Sequence, residues 1–480
     1  MGVEAAATSF FWVAAMARHR HRHLDVRTNG PRLWPSIGRC TASRLFRSET
    51  MAKIIVTSNP LQGHFAPLAA IASDLVTRGH EVLFYTSARF EEQVRRTGAR
   101  FTPFAAEVDL DTRDLAALYP EYDELSPFEQ ANFNNKHLFF EPAPLHDARL
   151  QELLVDFPAT VVIGELSLLG TLPMALRAPR HQRPLLVQIG ISAPTFESAD
   201  AAPYGPGLPP PTTDEERAAY SDLRARTREM FGEVQKYGEE LFRSIGVDFP
   251  DFFLNAWATV PDYYLQLTVP SFEYPRGDAP KGFRLIGPVP SGTSAVFERP
   301  DWWPELSSGR PVVVVTQGTL ANHDLSELVV PTIRALADTD VMVVAATARP
   351  DGPDIVRAML GGDVPGDVRL AGFVPFDELL PLSDVLVTNA GYGGVHTALR
   401  HGVPLVVAGQ TEDKPEVAAR VEWSGTGVNL RTGRPDVAAV RAAVEAVLHQ
   451  PRYRDRARAL QSEILASRPF ERIAEIVEQA

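Results

Sequence analysis

At 480 residues the chain is long for one hydrophobic core and points to two domains of ordinary size. Hydrophobic residues make up 45% and charged residues 22%, the balance of a globular protein, and no apolar run approaches the roughly 20 residues that span a bilayer. A formal net charge of -13 excludes a nucleic-acid binder that depends on a broad basic surface.

Residues 1–50 differ from the rest. They hold eight arginines against Glu4, Asp25 and Glu49, a local +5, so residues 51–480 carry -18 (-13 minus +5). The apolar stretch Ala5–Ala17 is short and its positive charges follow it, the wrong order for a secretory signal. We read this segment as an N-terminal extension outside the fold, disordered or preceding the true start at Met51, with an organelle-targeting leader as the alternative. His19–His23 (HRHRH) is a weak metal candidate, and no metal site is expected. Cys40 is the sole cysteine, which leaves no internal disulfide framework and fits a cytoplasmic protein.

From Met51 the pattern is α/β. KIIVTS (53–58) is a β-branched run suited to a strand covered on both faces. The loop NPLQGHFAP follows, then a helical LAAIASDLVTR closed by Gly79, then EVLFYTS, which together make a βαβ unit. ATVVIGE (159–165) and PLLVQIG (184–190) are further strand candidates. Segment 200–250 opens as a Pro-rich loop (APYGPGLPPP) and continues as a polar helix, an insertion placed over a binding cleft. Residues 287–311, rich in Pro, Gly and Ser, read as a linker. VVVVTQGT (312–319) restarts the rhythm, followed by VMVVAATA, VRLAGF, DVLVTN and PLVVAG. The expected architecture is two doubly wound, Rossmann-like domains facing a cleft, with boundaries at 51–286 and 312–465. A helix over 466–480 is expected to pack back on the first domain.

Ligands of such domains sit where the chain leaves the C-terminal ends of strands. In the first domain those loops offer His64, a side chain type able to change charge near neutral pH, and Glu165, a carboxylate placed to orient it. In the second, TQGT offers Gly318 and Thr319, GFVPF offers the aromatic Phe373, and NAGYGG offers backbone N–H groups at a helix start, suited to a diphosphate. Neither domain has G-x-G-x-x-G after its first strand, nor a P-loop, nor H-E-x-x-H, which disfavours nicotinamide, flavin, P-loop and zincin chemistry.

QGHFAP, TQGT and the run from GFVPF through NAGYGGVHTALRHGVPLVVAGQTEDKPEVAARV give 51–480 a resemblance. They resemble the nucleotide-sugar-dependent glycosyltransferases of the two-Rossmann (GT-B) type, in the family of plant secondary-metabolite and bacterial macrolide enzymes. The resemblance implies that His64 is the general base on an acceptor hydroxyl and Glu165 its carboxylate partner. It implies that Phe373 stacks on the nucleotide base, with the Val374 backbone reading the base edge. Asn389, Gly391, Gly393 and Gly394 would embrace the diphosphate, and Asp413 with Lys414 would bind sugar hydroxyls. The chain departs from the family pattern at several places. Asn389 replaces a phosphate-contacting histidine, Thr397 a ribose-gripping glutamate, Phe376 and Lys414 glutamines, and Glu165 an aspartate.

The implied reaction is inverting transfer of a hexose from a UDP- or dTDP-sugar to a hydroxyl of a small lipophilic acceptor, with no cofactor. The acceptor is expected near 110–145 and 195–260, rich in Phe, Tyr and Leu. The rival readings are a nucleotide-sugar epimerase and a non-catalytic ligand-binding protein on the same fold. The oligomeric state, the sugar and the acceptor's identity are not set by the sequence.

Overall fold

Strands buried on both faces need apolar side chains on both, and the runs KIIVT, VVIGE, LLVQIG, VVVVT and MVVAA supply them. In the computed structural model, which describes residues 51–110, 118–290, 297–319 and 321–480, they form the middles of two parallel sheets. The N-terminal extension, with His19–His23 and Cys40, lies outside the described residues.

The first sheet contains β1 (Lys53–Thr57), β2 (Glu81–Thr86), β3 (Arg100–Pro103), β4 (Val161–Glu165), β5 (Leu185–Gly190), β6 (Tyr263–Gln266) and β7 (Phe283–Leu285). Their order is β3-β2-β1-β4-β5-β6-β7. The second sheet contains β8 (Val312–Thr316), β9 (Met342–Ala346), β10 (Val368–Ala371), β11 (Val385–Thr388), β12 (Leu405–Val407) and β13 (Gly427–Asn429), ordered β10-β9-β8-β11-β12-β13. Both orders reverse direction beside their first strand. The resulting crevices open between β1 and β4, with Val56 paired to Ile163, and between β8 and β11, with Thr316 paired to Thr388.

The strands β3, β6, β7 and β13 have no counterpart among the strands read from the sequence. They are short and chemically mixed, and β3, β7 and β13 are sheet edges. Between β5 and β6, helices Asp214–Met230, Gly232–Ser244 and Phe253–Thr259 form the insertion. Helix Asp214–Met230 begins with a capping box of Thr213 and Glu216.

One continuous apolar core runs from Ile54, Val56 and Phe65 of the first lobe to Val314, Leu386 and Val407 of the second. The last helices belong to this junction. Helix Pro451–Ala466 lies on helix Tyr392–Arg400, and its Glu463 accepts from the Ser271 N–H at 3.3 Å. Helix Pro469–Glu478 buries Ile473 and Val477 in the same core, against α1 (Gln62–Thr77).

Candidate active site between the two sheets

His64 occupies the first turn of α1, directly after β1. Glu165 is the last residue of β4, the neighbouring strand at the crevice. Parallel pairing therefore brings together two residues a hundred positions apart. The His64 Nδ1 lies 3.2 Å from Glu165 Oε2, and its side chain is 22% exposed while the carboxylate is fully buried. Burial alone would raise the Glu165 carboxyl. The charge and hydrogen bond of His64, with the N–H and hydroxyl of Ser167, outweigh burial and hold it below the usual range.

Ser167 and Asn59 complete this cluster. The Ser167 Oγ lies 3.2 Å from His64 Nδ1 and 2.9 Å from Glu165 Oε2, and the Ser167 N–H donates to Oε2 at 2.8 Å. Asn59 donates from its backbone N–H to Glu165 Oε1 at 3.2 Å and from Nδ2 to Ser167 Oγ at 3.0 Å. The ring is thus fixed through Nδ1, which leaves Nε2 for a substrate. Asn59 also lines a small cavity of about 20 Å³ with Leu61, Val108, Leu138 and Phe139, room for about one water. His146, at its far wall, is pushed down to about 4 by burial, and its Nδ1 lies 3.0 Å from the Tyr85 hydroxyl. The aromatics of the insertion behave otherwise. Phe242, Phe249 and Phe253 pack edge to face on Phe140, which precedes β4, and form core.

In the second sheet the loops after β8 and β11 touch. Gly318 turns with φ +70, and its N–H donates to Thr316 Oγ1 at 3.2 Å. Asn389 is buried, and its Nδ2 donates to the Gln317 carbonyl in a close hydrogen bond. The Asn389 amide thus ties the two loops together. Ala390 adopts φ +67, and Gly391 is the N-cap of helix Tyr392–Arg400. An added Cβ on Gly393 or Gly394 would meet no heavy atom within 4 Å, so the first turn of that helix is uncrowded on its side-chain face, and its first N–H groups have no partner within the helix. Thr397 donates its hydroxyl to the Gly393 carbonyl at 2.9 Å, back along its own helix.

Asp413 and Lys414 start the next helix, Lys414–Trp423. Gly409 lies between Asn389 and Lys414, where an added Cβ would come within 2.2 Å of the Asn389 carbonyl oxygen and 2.9 Å of the Lys414 stem. Burial raises Asp413 to about 6, opposed in part by a backbone hydrogen bond and then by the charge of His64. Burial lowers Lys414 to about 7, although its Nζ is ion-paired with Glu412 and lies 3.0 Å from Thr411 Oγ1.

The chain is 41% identical over 419 residues to the 4'-demethylrebeccamycin synthase of Lentzea aerocolonigenes, covering 86% of this chain and 96% of that one. It belongs to the GT-B glycosyltransferases. UDP-glycosyltransferase 2 of Phaeomoniella chlamydospora is 36% identical over 443 residues, covering 91% and 97%. Residues 331–479 match the family model described as erythromycin biosynthesis protein CIII-like, C-terminal domain. The same two-sheet fold occurs in the calicheamicin glycosyltransferase (TM-score 0.66, 23% identity, covering 90% and 98%).

In this glycosyltransferase the residues singled out from sequence fall into three places. His64 and Glu165 meet at the first crevice. Gly318, Asn389 and the Gly391–Gly394 turn meet at the second, with Asp413 and Lys414 joined to them through Gly409. Phe373 and Val374 follow β10, which lies two strands from β8. Phe373 stands at the far end of the row with 63% of its surface exposed, and Thr319 is exposed beyond Gly318. Val374 and Phe376 pack against the shared core.

Sequence reading missed the groups that hold the two lobes in register. Gln266, at the end of β6, donates from Nε2 to the Tyr392 hydroxyl at 2.6 Å, and the Thr268 hydroxyl lies 2.7 Å from His396 Nε2. His396 is pushed down to about 4 by burial and donates or accepts as a neutral ring. No local signal marks these residues, because their partners lie more than a hundred positions away.

Proposed function

We propose that this glycosyltransferase transfers a hexose, with inversion, from a UDP- or dTDP-sugar to a hydroxyl of a small lipophilic acceptor, without a metal or other cofactor. The observation that carries the reading is the His64–Glu165 pair at the first crevice, with His64 Nδ1 3.2 Å from the buried carboxylate. His64 Nε2 takes the acceptor proton as the acceptor oxygen attacks the anomeric carbon, and the nucleoside diphosphate departs with the bonding electrons. General-base help of this kind contributes roughly 10²–10⁴-fold. The leaving diphosphate meets the N–H groups at the start of helix Tyr392–Arg400, whose dipole favours the developing charge.

Phe373 stacks on the base, the Val374 backbone reads its edge, Thr397 lies toward the ribose, and Asp413 and Lys414 bind sugar hydroxyls. Relatives named UDP-glucosyltransferases, among them UDP-glucosyltransferase B1 of Starmerella bombicola at 32% identity, favour UDP-glucose as the first donor to try. The acceptor lodges in the first lobe beside His64 Nε2, the ring nitrogen not engaged by Glu165 or Ser167. The net charge of -13 supports small-molecule rather than nucleic-acid partners. Among the described residues no helix is long and apolar enough to cross a membrane, and we infer a cytoplasmic site of action.

The test is a thermal-shift panel of nucleotide-sugars followed by an acceptor screen with the donor that binds. His64→Ala should lower transfer about 10²–10⁴-fold with donor affinity unchanged. Transfer that survives the substitution removes His64 from the role of base. A new sugar formed from the donor alone would point to an epimerase instead.

A further inference from the structure

Helix Lys414–Trp423 faces two ways. Its start carries the half-buried Asp413 and the buried Lys414 beside Gly409, and its later turns, with Glu416 and Arg420, lie buried between the lobes. The Arg420 guanidinium is fully buried. Its Nη2 donates to Glu273 Oε1 at 2.7 Å, its Nη1 donates to Glu416 Oε2 at 3.0 Å, and its cationic carbon sits 4.1 Å from the centre of the Tyr274 ring.

The second oxygen of Glu416 is spoken for as well. Oε1 accepts the backbone N–H groups of both Gly205 and Gly207, each at 2.9 Å. These glycines belong to the Pro-rich loop of the acceptor lobe. Gly207 has φ +62 and lies so close to the helix that a Cβ would come within 2.4 Å of the Pro415 carbonyl oxygen. Tyr204 beside them packs on the second core of the first lobe. Its hydroxyl is raised well above the ordinary range by burial and then by the negative charge of Asp413, and the close approach of Gly207 to Pro415 sets the turn one residue from Lys414.

We infer that Glu416 is a positioning residue for transfer: it clamps the 204–207 turn onto the first turn of the sugar-binding helix, and the clamped turn walls the sugar subsite against water. The inference rests on the reading of the cleft given above. Its chemistry is specific to a carboxylate. Donors approach Glu416 from both sides, an arginine on one oxygen and two amides on the other. A glutamine cannot satisfy both, because its NH₂ would have to face one set of N–H groups. When the turn is released, water replaces the acceptor. Its oxygen bonds to the anomeric carbon as the bond to the diphosphate breaks, its proton passes to His64, and the products are free sugar and nucleoside diphosphate.

Two variants test this. Glu416→Gln removes the clamp, and Gly207→Ala displaces the same turn while leaving the Arg420, Glu273 and Glu416 side chains in place. Hydrogen exchange of a peptide spanning 203–208 should quicken about tenfold in both, the factor for losing a charge-assisted hydrogen bond. Hydrolysis of UDP-glucose or dTDP-glucose, whichever raises the wild-type melting temperature, should rise severalfold relative to transfer. Unchanged exchange, or faster exchange with unchanged hydrolysis, overturns the clamp and leaves the transferase reading standing. If neither donor binds the wild type, the reading of the cleft fails and the walling role fails with it, while the exchange comparison still decides whether Glu416 holds the turn.

Discussion

At the scale of single residues, the site joins groups whose charges depend on burial. Lys414 is the clearest case. Its ammonium is lowered to about 7 by burial, against an unperturbed value near 10.5. Below pH 7 both folded and unfolded chains carry the proton, and the full cost of burying the charge is present. Between about 7 and 10.5 the unfolded chain binds more protons than the folded one, so stability rises with pH through that window. Lys414→Met should therefore raise the melting temperature more at pH 6 than at pH 9.5. A gain that is equal at both pH values would show that the buried lysine is not the cause. Its Glu412 partner is 38% exposed, so solvent screening weakens the pair. His64 and Glu165 were legible in the sequence because each ends or follows an apolar strand. Ser167 and Asn59 were not, because an isolated serine or asparagine in a loop shows its role only when its distant partner is placed.

At the scale of elements, strands covered on both faces announced themselves as β-branched runs, whereas β3, β7 and β13 are paired on one side and carry no such run. The glycine-rich turn after β11 was legible for the same reason as any loop that needs close backbone approach. Its neighbours were less so. Ala348, Ala390, Glu412 and Arg431 all have positive φ and all lie just past strands β9, β11, β12 and β13, along one edge of the second sheet. Such left-handed residues cost of order 1–3 kcal/mol each and cluster at functional sites. Arg468 is the fifth, at φ +50, between the last two helices and away from the cleft. It is exposed, so glycine there removes strain without removing packing. Arg468→Gly should stabilise by about 1 kcal/mol in urea unfolding, the left-handed penalty less the added freedom of the unfolded chain. A destabilised variant would show that the arginine side chain contributes more than the backbone strain.

At the scale of the whole molecule, the two lobes share one apolar core and one buried charge cluster. Glu273 comes from the first lobe and Arg420 from the second, and both are sealed from water. Removing Glu273 leaves the Arg420 guanidinium paired with Glu416 alone and strands its buried Nε and Nη2 donors, at a cost of about 1–3 kcal/mol for each unsatisfied group. Glu273→Ala should therefore lower the midpoint of chemical denaturation for both lobes together. A variant that unfolds the second lobe at its wild-type midpoint would separate them. The two-domain grammar was visible in the sequence as two strand–loop–helix restarts. The join was not, because it is made by residues such as Gln266, Thr268, Glu273 and Arg420 that sit at the ends of unrelated elements.

The packing of helix Pro469–Glu478 on α1 has a consequence for biosynthesis. Every strand of the first sheet leaves the ribosome before the second lobe does, yet one face of α1 stays uncovered until the last described helix arrives. The emerging amino-terminal half therefore exposes the part of α1 that Ile473 and Val477 cover in the complete fold, the condition under which nascent chains recruit chaperones or associate with one another. Expression of residues 51–286 alone is set to yield aggregates that the remaining chain, supplied in trans, would have to rescue.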